Sequence, residues 1–302
     1  MTNGNKKTAR PIISGHGKFV FRQGWLKKGF DLTIDDPTGL IKEDAYIKLG
    51  VGKNMASSIR HWCQAVQILD EDTSNKKNAM KATPLGELIL GAQGSDPYME
   101  KSGTLWLLHW LLANNPVRGL IYQIFFSKLY EIEFKKYHLT ELLDKELPKY
   151  GIPVTPAKLN REVNVFLRTY LPARSNDNKK SIEDSLDCPL AELNLIQHIP
   201  SDDIYRFRHG PKRSLSLNIY AYSLISFIKE HTKTRNTMGV DEVIYEPGSP
   251  GMVFKLDENS SMEYIEALQE KTSGVIQIQD TAGLRQIYLH DLDSINETQL
   301  IG

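Results

Sequence analysis

Residues 102–116 read SGTLWLLHWLLANNP. Leu105, Trp106, Leu108, Trp110, Leu111 and Leu112 would fall on every side of the helix this segment forms, leaving no face for water. Such a helix has to be enclosed by other elements of the chain. His109, in its middle, reads as a core histidine with satisfied ring nitrogens. The next apolar run, LIYQIFFSKLYEIEF, continues the helical core. No apolar run approaches the roughly 20 residues of a membrane span, so the partners of residues 102–116 come from the chain itself. This predicts a mainly α protein, with smaller modules arranged around a helical core.

The stretch LGVGKNMASSIRHW, residues 49–62, admits two readings. A phosphate-cradling loop needs G-x-x-x-x-G-K-[ST]. Here Ile47 stands where the first glycine belongs, Asn54 replaces the hydroxyl residue after Lys53, and the preceding IKEDAYIKLG looks helical. A helix-turn-helix fits better. Gly50 supplies the permissive turn, and a second helix runs from about Gly52 to Val66. Met55, Ile59, Trp62, Cys63 and Val66 form its buried stripe. Lys53, Ser57, Arg60 and Gln64 share an acid-free face, flanked by Asn54 and His61, equipped for phosphates and base edges. Ile68 and Leu69 then read as a strand, followed by a polar loop with Lys76, Lys77 and Lys81. A helix capped by Thr83, with Pro84 in its first turn and Gly91 as its stop, comes next. Helix, turn, helix, basic loop, helix is the order of a winged-helix-like module. Helix-turn-helix pairs also occur as plain structural units, so the DNA-reading role is an expectation.

The same outline returns twice. LTELLDKELPKYG ends at Gly151, and a helix restarts with Thr155 as N-cap and Pro156 in its first turn. Leu159, Val163, Phe166, Leu167 and Tyr170 form its buried face, while Lys158, Arg161 and Arg168 line another side. A hairpin follows, turning at residues 200–203, in which Arg206 and Arg208 alternate with Tyr205 and Phe207 and so point one way. In the last part, Ser249 and Pro250 open a short helix. A second helix exposing Glu263, Glu266 and Glu270 leads into strands on either side of residues 281–283. Carboxylates repel phosphates, so this third unit is expected to dock a protein or pack on the basic part.

Charge follows this division. The net charge is zero, which argues against coating nucleic acid by bulk charge. Yet the first 30 residues hold no acid, and from Gly239 onward only Lys255, Lys271 and Arg285 are basic. The expected domains are residues 1–95, 96–238 and 239–302. The two cysteines, Cys63 and Cys188, lack metal-ligand spacing, and the amino terminus lacks the apolar core of a secretion signal. A cytoplasmic protein with free thiols is the expectation.

Two short nuclease-like matches fall in the apolar core: residues 109–115 resemble a fragment of HNH nucleases, and Glu133-Phe134-Lys135 matches the E-x-K fragment of restriction-type nucleases. Both lie where the surroundings read helical, and neither carries weight. The better carboxylate cluster is EDSLDCPLAE, with Asp184, Asp187 and Glu192 as candidate catalytic residues. Asp184 and Asp187 would hold magnesium or manganese, which binds oxygen ligands and activates water. The plainer alternative is that Ser185 or Asp187 caps the short helix begun by Pro189.

The segments GWLKKGFD, LGVGKNMASSIRHW, TPLGELILG, LWLLHWLLANNP, DSLDCPLAEL, YEPGSPGMVFKLDE and DTAGLRQIYL together resemble one bacterial domain-of-unknown-function family of about this length. Its members are often encoded beside a cysteine desulfurase and a sulfurtransferase similar to phosphoadenosine-phosphosulfate reductases. The resemblance implies a DNA phosphorothioation, anti-phage defence system, with this chain similar to its DNA-nicking component. It implies double-stranded DNA and those two sulfur-transfer proteins as partners, and no membrane. It carries over no catalytic residues. The competing expectations are a scaffold for the sulfur-transfer enzymes that does not touch DNA, and a transcription regulator of the same cluster.

Overall fold

The computed structural model describes residues 10–74, 78–172, 188–231, 237–272, 274–281, 284–290 and 300–301. Its centre is α5 (Ser102–Ala113), in which every residue from Thr104 to Ala113 is buried. It packs against α6 (Leu120–Lys128), α9 (Leu217–His231), α11 (Pro250–Phe254) and the 3-10 turn Pro189–Leu193. His109 is satisfied as expected: Nε2 donates to the Val253 carbonyl (2.9 Å), which leaves Nδ1 to accept from the Tyr170 hydroxyl (2.7 Å). The fold is mainly α, and among the described residues no helix is long and apolar enough to cross a membrane.

Around this centre a similar order of elements occurs three times, without an early strand in the first unit and with an extra short helix in the third. In the first unit α1 (Trp25–Asp35) leads through a turn at Pro37 to α2 (Ala45–Leu49), α3 (Lys53–Ala65) and the hairpin β1 (Leu69–Glu71), β2 (Met80–Ala82). Met80 N–H donates to the Pro37 carbonyl (2.7 Å), so the segment before α2 borders the second hairpin strand. In the second unit α6 is followed by β3 (Glu133–Phe134), α7 (Lys136–Glu146), α8 (Pro156–Tyr170), β4 (Ile196–Ile199) and β5 (Ile204–Phe207). In the third, α9 is followed by β6 (Thr237–Gly239), α10 (Val240–Tyr245), α11, α12 (Glu258–Lys271), β7 (Ile276–Thr281) and β8 (Leu284–Leu289). Both three-stranded sheets are antiparallel and place the early strand against the last: β3-β5-β4 and β6-β8-β7.

The turn before the long helix is left-handed in all three units: Gly50 (φ 63°), Gly151 (φ 68°) and Lys255 (φ 53°). Glycine adopts this region freely, whereas a lysine there costs about 1–2 kcal/mol. Lys255 is held by what its side chain reaches. Its ammonium donates to the Phe126 carbonyl at the end of α6 (2.9 Å) and lies 4.4 Å from the centre of the Phe207 ring.

Local signals explain most boundaries. Thr83 and Thr155 accept from the N–H groups of Gly86 and Lys158, with Pro84 and Pro156 in the first turns of α4 (Pro84–Leu90) and α8. Gly86 is the contact by which α4 lies on the strand lead-in, since a Cβ there would sit 2.2 Å from the Ile68 carbonyl oxygen. Gly86→Ala is therefore expected to destabilise by about 1–3 kcal/mol in a denaturant titration. An unchanged midpoint would show that α4 can move away freely.

Two expectations need correction. The apolar run after α5 does not stay helical to Phe134: α6 ends at Lys128, and Glu133–Phe134 is a strand paired with β5. Residues 41–49 do not form one helix either. A 3-10 turn at Gly39–Ile41 and the short α2 divide them, because Asp36 and Lys42 pair at 2.6 Å across the bend. The buried apolar residues form one cluster from Ile13 to Leu289, joining the three expected segments through a shared core.

Candidate nucleic-acid interface

α3 carries the first group of candidate residues. Lys53, Asn54 and Ser57 are exposed, with Ser57 Oγ donating to the Asn54 carbonyl (3.0 Å). One turn on, the surface changes. Arg60 is half-buried, and its Nε has no hydrogen-bond partner among the described residues. His61 and Gln64 are 3% and 7% exposed. The four-residue outward face expected from the periodicity is therefore cut in half. The cause is the segment of residues 10–19, which folds over the second half of α3. Ile12 N–H donates to the Val117 carbonyl (2.7 Å), and Ser58 Oγ donates to the His16 carbonyl (2.8 Å). Gly15 sits so close that a Cβ would lie 2.4 Å from His61 Nδ1. Burial, with His16 and Arg118 nearby, drives the His61 pKa well below its usual value, so the ring stays neutral.

α8 carries the second group. Arg168 is exposed, while Lys158 Nζ donates to the Pro153 carbonyl (3.2 Å). Arg161 donates to Ser14 Oγ (3.0 Å) and pairs with Glu162 Oε1 (3.4 Å). Glu162 itself is buried on the opposite flank, accepting from Ser14 Oγ (2.9 Å) and His16 Nε2 (2.8 Å). A buried carboxylate without donors would be costly; these contacts supply them and clamp the amino-terminal segment onto α8. Ser14, His16 and Glu162 are absent from the sequence-derived set. The helical period did mark Glu162, since it sits with Leu159, Val163 and Phe166 on the apolar side.

The hairpin arginines differ in their commitments. Arg206 and Arg208 are both exposed, beside buried Tyr205 and Phe207. Arg206 is tied to Glu133 Oε1 across the sheet, its Nε at 2.8 Å. The Arg208 carbonyl accepts from Lys212 Nζ (2.7 Å), which also donates to the carbonyls of Gly210 and Lys255. Burial lowers the Lys212 pKa to about 8, Lys255 to about 7 and, with Lys255 alongside, His209 to about 4. The basic run after β5 is thus partly built into the joint with the third unit. On α12 the expected acidic surface is present: Glu263, Glu266 and Glu270 are exposed.

Glu192 is exposed on the 3-10 turn Pro189–Leu193. Asp184 and Asp187, like Lys76 and Lys77, lie outside the described residues. Among the described residues no group of three or more His, Cys, Asp or Glu side chains is placed to hold a metal ion.

No curated protein gives a match to the chain. Two solved structures resemble it over 92% of its length and 83% of theirs, each with a TM-score of 0.81. One is a crystal structure of SspB at 26% identity, the other a magnesium ion-bound crystal structure of SspB at 27%. The family described as Protein of unknown function (DUF4007) matches residues 13–301, and the chain belongs to that family.

Proposed function

We propose that the protein is the DNA-binding component of a DNA phosphorothioation system and works there as SspB does. The carrying observation is the likeness to the SspB structures across nearly the whole chain. The sequence resemblance to the DNA-nicking member of such systems agrees with it. The three repeated units read as winged-helix-like modules: each pairs a turn-linked long helix with a hairpin. In the first two, the long helix exposes cations, Lys53 on α3 and Arg168 on α8, with Asn54, Ser57 and Arg208 also at the surface. These are suited to phosphate contacts and groove edges. The third long helix is acidic and repels a phosphate backbone. That favours a second role, docking of the cysteine desulfurase or the sulfurtransferase on α12.

Lys53→Ala with Arg168→Ala should weaken duplex binding and lower the slope of log affinity against log salt by about one unit per lost phosphate contact. A gel shift at several salt concentrations measures this, and an unchanged slope would exclude those helices from the interface. For strand nicking, supercoiled plasmid with magnesium or manganese is the substrate. Equal nicking by wild type, Asp184→Ala and Asp187→Ala would remove those aspartates from the site. No nicking under either metal would leave DNA binding alone. Magnesium enters as a proposal because one of the SspB structures holds that ion.

A further inference from the structure

A cleft of about 430 Å³ opens where the amino-terminal segment, the end of α3 and the residues after α5 meet. It is lined by Arg10, Gln64, Gln67, Glu71, Asn115 and Arg118, among others. We infer that this cleft receives one nucleotide of a DNA strand, swung out of its stack, with its base against Gln64 and its phosphate against the arginines. The inference rests on the DNA-binding reading above and assigns that reading a site.

Three observations carry it. First, polar groups around the cleft are left unanswered. Gln64 is 7% exposed and its side-chain oxygen Oε1 has no donor among the described residues. Its amide is oriented by Glu71, which accepts from Nε2 at 3.4 Å; flipping the amide would set oxygen against carboxylate. One turn earlier the Arg60 Nε–H is equally unpartnered. Leaving such groups unpaired is costly, so a ligand that pairs them gains accordingly.

Second, the lining sets two guanidiniums, Arg10 and Arg118, beside two carboxylates, Asp70 and Glu71, and so suits a ligand with an anionic and a hydrogen-bonding end. Arg118 is partly withdrawn from water, and Arg60 adds like-charge repulsion; both lower its pKa, against the ion pair it makes with Glu71 (3.2 Å). Arg10 stands on the opposite wall, its guanidinium donating to the Gly151 carbonyl (3.0 Å). A bare phosphate would meet Glu71 and Asp70 as well as these cations and is too small to span from them to Gln64 while filling the cleft. A cationic peptide would meet the arginines. A nucleotide carries both an anionic phosphate and base N–H donors, and the volume is in the range of small-ligand pockets, about 300–1,000 Å³.

Third, the cleft continues the exposed half of α3. Residues 53 and 57 are outside and residue 64 is within, a distance of about 16 Å along one helix. A strand held by Lys53 would reach the cleft within a few nucleotides. Extruding a base is the usual way for proteins to reach atoms hidden in the duplex.

The test uses the full chain. Calorimetric titration with each deoxynucleoside monophosphate is compared with inorganic phosphate, and a duplex carrying 2-aminopurine reports unstacking by fluorescence. The expected result is nucleotide binding at least tenfold tighter than phosphate and a fluorescence rise on duplex binding. Gln64→Leu and the surface change Arg10→Ala should each reduce both signals at least fivefold, with unchanged melting temperature. Arg10→Ala decides if Gln64→Leu does not fold. Lys53→Ala should weaken duplex binding without touching nucleotide binding. Duplex binding with no nucleotide binding and no fluorescence change overturns the cleft and leaves the DNA-binding reading standing. Phosphate binding as tight as nucleotide also overturns it. Nucleotide binding without any duplex binding supports the cleft and removes the DNA-binding reading instead.

Discussion

Trp62→Ala is expected to cost about 3–5 kcal/mol, the usual range for emptying a large aromatic site. The indole is fully buried and donates from Nε1 to the Phe19 carbonyl (3.1 Å). Its ring meets four others: His16 stacks on it at 5.6 Å, Phe21 lies at 5.5 Å, His61 at 5.4 Å and Tyr122 at 6.1 Å. These neighbours come from the amino-terminal segment, from α3 and from α6, so one side chain joins the first unit to the second. The loss is a large fraction of the 5–15 kcal/mol that holds a typical protein folded. Trp62→Phe keeps most of the ring contact but not the donor, and should cost about 1 kcal/mol. Denaturant titrations of both variants measure this. A cost below about 1 kcal/mol for Trp62→Ala would show that the joint is held elsewhere.

What the sequence displayed of the fold depended on the range of the signal. Local signals were readable: the caps at Thr83 and Thr155, the stripe through Ile59, Trp62 and Cys63, and the alternation of Tyr205, Arg206 and Phe207 all sit where their periodicities require. Pairing across long separations was not. Glu133–Phe134 lies in an aromatic run that suits a helix, and only its partners Arg206 and Tyr205, in a distant hairpin, make it a strand. The threefold order is similarly hidden, because its recurring turn is a backbone conformation. Glycine marks that turn twice; the third time a buried lysine holds it.

The candidate site was half legible for the same reason. Periodicity says which residues share a face of α3, but not what lies on that face. The covering segment, residues 10–19, lies in the acid-free first 30 residues and shows no helical or strand periodicity that would mark it as a cover. The residues that fasten it are uncharged or apparently isolated: Ser14, Gly15 and His16, with Glu162 far along the chain. The cleft at Gln64 and Arg118 exists only once that segment is in place.

Fastening by buried imidazoles makes stability depend on pH. His61 and His109 are buried, and burial holds both neutral in the folded chain, His109 down to about 3. In the unfolded chain each takes up a proton below its ordinary pKa of about 6.5. Below that pH the unfolded state binds more protons, so stability falls as pH falls. At pH 5 the penalty from His109 is about 2 kcal/mol relative to neutral pH, and His61 and His209 act in the same direction. Lys255 extends the slope upward, because its folded pKa of about 7 lies below the ordinary lysine value. Between pH 7 and 9 the unfolded amine stays charged while the folded one discharges, so Lys255 raises stability by about 2 kcal/mol more, and Lys212, lowered to about 8, adds in the same direction. The lowered carboxylates Asp36, Glu146 and Asp257 act only nearer pH 4 and do not enter this window. Urea titrations from pH 5 to 9 should show a steady climb, and NMR should show the His61, His109 and His209 imidazoles still largely neutral at pH 5. Flat stability between pH 5 and 7 would mean that these rings accept protons inside the folded chain, and the amino-terminal segment would then pack loosely on His61.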